Sequence, residues 1–194
     1  MQLELAGRVA FVSGSHRGTG AGIARVLARE GAHVLVNNYG AAEGPGFFDG
    51  GTDDWLSSYE KNVLSGVRLA RAFAPEMRAR GFGRIVFVGT IGTARPAARW
   101  PHYYAAKGAL PVLVVSLAKE LARSGVTVNL VSPGLIATAE VRARFSDERL
   151  RDNPSGAVCT PEDVGRLVAF LASPHAASIN AANLRIDGGS ADCV

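Results

Sequence analysis

The chain has 194 residues, 47% of them hydrophobic and 20% charged, a balance that excludes disorder and suits one unit spanning 1–194 rather than two domains. Its 21 Lys and Arg against 17 Asp and Glu leave a formal +4 spread over scattered arginines, so nucleic acid is not an expected partner. Cys159 and Cys193 form neither a disulfide framework nor a metal-ligand spacing, and the longest apolar stretch, Leu110 to Ala118, is interrupted and too short for a bilayer. With no basic start followed by an apolar run at the N-terminus, the expectation is a cytoplasmic chain with no metal site and no membrane contact.

The first strand-like run, Arg8-Val-Ala-Phe-Val-Ser13, ends in Ser13-Gly14-Ser15-His16-Arg17-Gly18-Thr19-Gly20, and a helical segment near 20–30 follows at once. Glycines at a strand-to-helix turn let the backbone approach a ligand, and the amides of the helix start attract phosphate. The same turn also occurs where a helix merely packs close to a strand. A second apolar run at 32–36 leads into Asn37-Asn38-Tyr39-Gly40 and a Gly-rich surface loop at 40–51. Helical periodicity over 53–79 carries Asn62, and a strand-like run at 84–90 ends in Gly89-Thr90.

A further helical segment, 103–124, opens with Tyr103-Tyr104-Ala105-Ala106-Lys107. Pro111 removes the amide that would bond back to the carbonyl of Lys107, which predicts a kink one turn beyond that lysine. Strand-like 126–131 runs into Pro133-Gly134. A loop-rich region at 134–160 follows, placed where a substrate lid would lie, then a helix at 161–172 and a last strand at 182–187 ending in Asp187-Gly188-Gly189. This alternation is that of an α/β domain with a mainly parallel sheet.

The four-residue spacing puts Tyr103 and Lys107 on one helical face, one turn apart. A tyrosine ionises near ~10, so it needs a neighbouring cation to work as an acid or base around neutrality. Tyr and Lys at this spacing also occur on ordinary exposed helices. The surrounding motifs decide between the two.

In this order, the turn at 14–20, Asn37-Asn38-Tyr39-Gly40, Asn62, Gly89-Thr90, Tyr103 with Lys107, Pro133-Gly134 and Asp187-Gly188-Gly189 resemble the short-chain dehydrogenase/reductase family. The resemblance implies a three-layer Rossmann-type domain with a mainly parallel sheet, reduced in strand and helix number, and an NADP cofactor, with NAD the lesser alternative. It implies Asn62, Thr90, Tyr103 and Lys107 as the catalytic set, with Tyr103 moving the substrate proton, Lys107 lowering its pKa and Asn62 holding a relay water. Cofactor contacts would come from Gly14, Ser15, Arg17, Gly18, Thr19, Gly20, Asn38, Tyr39, Gly40, Tyr103, Lys107, Pro133, Gly134, Ile136 and Thr138. Arg17, with its planar fork of donors, would meet the ribose 2′-phosphate. The substrate would be a small-molecule carbonyl or alcohol, and the assembly a homodimer or homotetramer through the helices at 53–79 and 103–124.

The chain also departs from the family. Around residues 33–38 it lacks roughly 50 residues that would carry two crossover helices, a strand and most of the wall around the adenosine. The run at 33–36 then has two possible places in the sheet. Beside the first strand on its outer side, the helix at 20–30 keeps a right-handed crossover. On the inner side, the crossover is left-handed or the helix changes face, so the outer place is the expected one, and it would displace Asn37 to Gly40 from the cofactor. Tyr39 replaces a small residue of the family, and Ala181 a glycine. The readings that remain open are an NADP-dependent oxidoreductase, a lyase or isomerase using Tyr103 without net redox, and a degenerate scaffold acting as a protein partner.

Overall fold

A computed structural model describes residues 2–6, 10–30 and 35–191. Arg8 and Val9 of the first predicted strand, Ala32 to Val34 of the second, and Cys193 lie outside them. The described chain runs β1 (Phe11–Ser13), α1 (Gly18–Glu30), β2 (Leu35–Asn37), α2 (Thr52–Tyr59), a π turn (Glu60–Leu64), α3 (Ser65–Ala79) and β3 (Gly83–Val88). It continues through α4 (Pro101–Gly108), α5 (Leu110–Glu120), β4 (Val126–Pro133), α6 (Ala139–Arg142), α7 (Asp147–Arg151), α8 (Pro161–Ala172) and β5 (Asn183–Ile186).

The five strands form one parallel sheet in the order β1-β2-β3-β4-β5. Along β3, alternate residues serve opposite faces, as the pleat requires. Val86 and Val88 join Val36, Val131 and the helices α1 and α8, through Ile23, Leu27, Val164 and Val168. Ile85 and Phe87 join Leu35, Val128 and Leu130 against Ala74 and Met77 of α3 and Leu110 and Val114 of α5. Strands covered on both sides in this way are near-continuous apolar runs, which is why their periodicity was readable.

The expected outer place for the second strand is overturned. β2 pairs with β1 on one side, Phe11 opposite Leu35, and with β3 on the other, Leu35 opposite Ile85. All three β2 residues are buried, so an interior place gives Leu35 and Val36 a core on each face and satisfies the backbone on both edges. The cost is chirality. All four crossovers move the same way across the sheet, yet α3 and α5 lie on one face and α1 and α8 on the other. The α1 crossover therefore has the hand opposite to those through α3 and α5, against a ~98% preference for a single hand.

Where a kink was expected, the predicted helix is split in two: α4 ends at Gly108 and α5 restarts with Pro111 in its first turn, while Ala109 between them keeps helical dihedrals (φ −74°, ψ −23°). Ala181, just before β5, has φ +58°, a left-handed conformation in which its Cβ is crowded. Its amide donates to the carbonyl of Val128 (2.9 Å), which holds it there. Ala181→Gly relieves the crowding at some cost in chain entropy, for a net gain of about 0.5–1 kcal/mol, or about 2–3 °C in melting temperature. Thermal unfolding followed by circular dichroism measures it, and an unchanged or lower midpoint would contradict the strain.

Candidate active site

The carboxyl ends of β1, β2, β3 and β4 all lie at one rim of the sheet, the position where open parallel sheets form ligand crevices. At the end of β1 the chain turns sharply, with Gly14 (φ +65°) and Gly18 (φ +54°) both left-handed. A Cβ on Gly20 would lie 2.3 Å from the carbonyl oxygen of Gly14, so the turn closes onto the first turn of α1 only without a side chain there. That first turn carries no acidic residue to compete for its unpaired amides. Ser15 and Arg17 are exposed, and Gly18 and Thr19 half-buried. Arg17 reaches Glu140 at 3.6 Å.

The interior place of β2 brings its following motif onto this turn. The Ser13 hydroxyl accepts from the amides of Asn38 and Tyr39, both at 3.1 Å, and donates to Asn37 Oδ1 at 3.0 Å. Asn38 Nδ2 donates to the Gly14 carbonyl (3.4 Å). Asn37 to Gly40 are thus held against the turn, and the displacement expected from the outer strand place does not occur. From the other side, the methyl of Thr138 stands 3.5 Å from where a Gly18 side chain would begin. Thr138 caps α6, Ile136 is buried in a bridge with Cys159, and Gly134 donates to the Ile186 carbonyl (3.0 Å) beside Pro133.

The chemical residues gather at the ends of β2 and β3. Lys107 is buried, its Nζ donates to the Val88 carbonyl at 2.8 Å, and burial brings its pKa down to about 8. Tyr103 is half-buried; burial pushes its phenol up to about 12, while a hydrogen bond with Thr90 opposes that rise. The expected lowering of the tyrosine by Lys107 is not seen, because burial outweighs every other influence on the phenol and the ammonium is turned to Val88. Thr90 Oγ1 accepts from the amide of Gly92 (3.1 Å), which fixes the hydroxyl that faces the tyrosine.

Asn62 sits in the π turn, a form frequent at functional positions. Its Nδ2 donates to the Ser58 carbonyl (2.9 Å), while its buried Oδ1 accepts no hydrogen bond from the protein. A Cβ on Gly40 would lie 2.3 Å from that Oδ1 and 3.2 Å from Lys107 Nζ. A buried acceptor and a buried cation therefore flank the bare Cα of one glycine, an arrangement suited to a shared water.

Sequence reasoning missed two supports. Ser13 ties two strand ends together, and its only sequence signal was its place just before the glycine turn. His102 is buried, with Nε2 at 2.6 Å from the Glu43 carbonyl and its ring edge-on to Trp55, fastening the 40–51 loop to α4. The expected lid region forms α6 and α7, and α7 with the loop after it borders an open cleft of about 870 Å³, with Ile91, Arg95, Leu135, Leu150, Asn153 and Ile186 among its walls.

The chain is similar to known proteins over most of its length. The model of a family described as enoyl-(acyl carrier protein) reductase matches residues 33–191. An uncharacterised oxidoreductase, YvaG, of Bacillus subtilis is 30% identical over 97% of this chain and 98% of its own length. The 3-oxoacyl-[acyl-carrier-protein] reductase FabG of Vibrio cholerae is 30% identical over 96% of this chain and 98% of its own. Those alignments span 258 and 240 positions, more than the chain has residues, so part of each relative has no counterpart here. Among solved structures, L-sorbose reductase of Gluconobacter frateurii, complexed with NADPH and L-sorbose, superposes with a TM-score of 0.91 at 25% identity, covering all of both chains. The parallel sheet, the rim that gathers these motifs and the extent of the match together show that the chain belongs to the short-chain dehydrogenase/reductase family of oxidoreductases.

Proposed function

We propose that the protein is an NADP-dependent oxidoreductase that interconverts a carbonyl and a secondary alcohol, with Tyr103 as the proton donor and acceptor. The observation that carries this reading is the convergence, at one rim, of the glycine turn with buried Lys107, Tyr103 and the Thr90 hydroxyl. The residues fit such a cofactor: the first turn of α1 carries no acidic residue beside its unpaired amides, and the buried Asn62 Oδ1 and Lys107 Nζ lack only a polar bridge. When bound, the cofactor supplies the hydride in reduction and receives it in oxidation.

Gly14, Ser15, Gly18, Thr19 and Gly20 cradle the phosphates in this reading, and Arg17 meets the 2′-phosphate in competition with Glu140. Asn38, Tyr39 and Gly40 line one side, and Pro133, Gly134, Ile136 and Thr138 the other. A phenol held at about 12 is protonated at neutral pH, which suits Tyr103 to give its proton to a carbonyl oxygen. Thr90 holds that oxygen beside the tyrosine, and Lys107 holds a ribose hydroxyl. Asn62 and Lys107 pass the replacement proton inward through the gap over Gly40.

Leu56 and Tyr59 on α2 and Val112 and Val115 on α5 are exposed apolar residues, which supports a homodimer or homotetramer through these helices. No helix among the described residues is long and apolar enough to cross a membrane, and a cytoplasmic location belongs to the same proposal. The second reading is a non-redox scaffold, and the observation in its favour is that β1, which leads into the turn, is an edge strand.

Fluorescence titration with NADPH and NADH separates the two. Saturable binding is expected, with NADPH preferred by about fivefold at most, because an exposed ion pair to Arg17 is worth under about 1 kcal/mol. No binding of either cofactor at millimolar concentration would favour the non-redox scaffold.

A further inference from the structure

The strand order puts the glycine turn at the end of an edge strand, and the chemical residues all lie to one side of it. Thr90 follows β3, Tyr103 and Lys107 stand on α4 behind it, and Ile136 and Thr138 follow β4. A dinucleotide is two nucleotides joined through their phosphates. With those phosphates on residues 14–20, one half extends across β2 and β3 towards Tyr103, and the other extends off the outer edge of β1.

Among the described residues no strand lies beyond β1. The side chains of the turn on that side are open to solvent, Ser15, His16 and Arg17 all being exposed, and Tyr39, which follows β2, is 45% exposed. Arg17 is engaged by Glu140. One salt-screened cation and one open ring do not make a nucleoside pocket, which normally encloses most of its ligand. The other half meets a built site, with buried Lys107, the unpartnered Asn62 Oδ1 and the Thr138 and Ile136 wall.

Resting on the cofactor reading above, we propose that this site holds its cofactor through the nicotinamide mononucleotide half alone. Reduced nicotinamide mononucleotide, NMNH, is then a reductant nearly as good as NADPH. The balance of the reaction is unchanged, since the ring that is oxidised is common to both: the carbonyl takes up one hydride at carbon and one proton at oxygen. Arg17 and Tyr39 adjust affinity by a few-fold, and the adenosine remains in solvent.

Isothermal titration calorimetry of the full chain with NADPH, NMNH and 2′,5′-ADP tests this without relying on turnover, and ligand-induced shifts in melting temperature give a second reading. The expected result is an NMNH dissociation constant within about tenfold of that for NADPH, with no saturable 2′,5′-ADP binding up to millimolar concentration. NADPH binding about a hundredfold or more tighter than NMNH, or saturable 2′,5′-ADP binding, overturns the proposal and leaves the dinucleotide reading standing. Failure of both NADPH and NMNH to bind overturns the two together.

Discussion

Tyr103→Phe lowers kcat/KM for carbonyl reduction by about 10²–10⁴-fold, the usual range for removing a positioned proton donor. The ring itself is kept, so its edge-on packing against Tyr104 survives, and the loss is confined to one hydroxyl and its hydrogen bond with Thr90. Stability should therefore fall by only about 1 kcal/mol, and NADPH affinity should change less than about twofold. Stopped-flow reduction alongside a binding titration measures both. Unchanged turnover would remove Tyr103 from the mechanism. The pH profile carries a second mark of the same group: with the phenol at about 12, the proton donor is fully populated through neutrality, so reduction is flat there. Oxidation needs the phenolate, and its rate climbs about tenfold per pH unit over the same range.

The second large effect concerns stability and Lys107. Burial lowers its pKa from 10.5 to about 8 in the folded chain, so between those values the unfolded lysine binds a proton that the folded one does not. Stability therefore rises with pH across that window: below about 8 the cost of burying the charge is present in full, and above 10.5 it is gone. At 1.36 kcal/mol per unit the span corresponds to about 2–4 kcal/mol. Two groups act in the opposite sense. Cys159, raised from 9.0 to about 11, and Tyr103, raised from 10.0 to about 12, stay protonated in the folded chain after the unfolded groups have ionised. Their contribution to stability is lost as pH rises through those intervals. The rise is best read between about pH 7.5 and 9 by urea unfolding, with Lys107→Met as the reference. Lys107→Met should be the more stable of the two at the lower pH and should lack the rise. A wild-type profile as flat as the variant's would show that Lys107 does not titrate low.

Much of the site was readable because its parts are local. Tyr103 and Lys107 lie one helical turn apart, and the glycine turn joins a strand directly to its helix, so periodicity and spacing locate both. The lateral order of strands is a different kind of information. An apolar run such as Leu35-Val36 has the same pattern in any covered position, and nothing along the chain records that it pairs with Ile85, fifty residues away, as well as with Phe11. The handedness rule pointed to the outer place. Burial on both faces outweighed it. The same distinction separates the two expectations for Lys107: its helical face followed from spacing, whereas its bond to the Val88 carbonyl depends on where β3 ends beneath α4.

The two helices on the unusual side of the sheet have a mechanical consequence. α1 follows one edge strand and α8 leads into the other, and they meet at two glycines: a Cβ on Gly22 would be 2.4 Å from Pro161, and one on Gly165 would be 2.8 Å from Val26. The pair thus forms a clasp across β2, β3 and β4, joining the outermost strands without a hydrogen bond between them. The first and last quarters of the chain then loosen as one cooperative unit, and protection against hydrogen exchange in α1 should be lost together with that in α8.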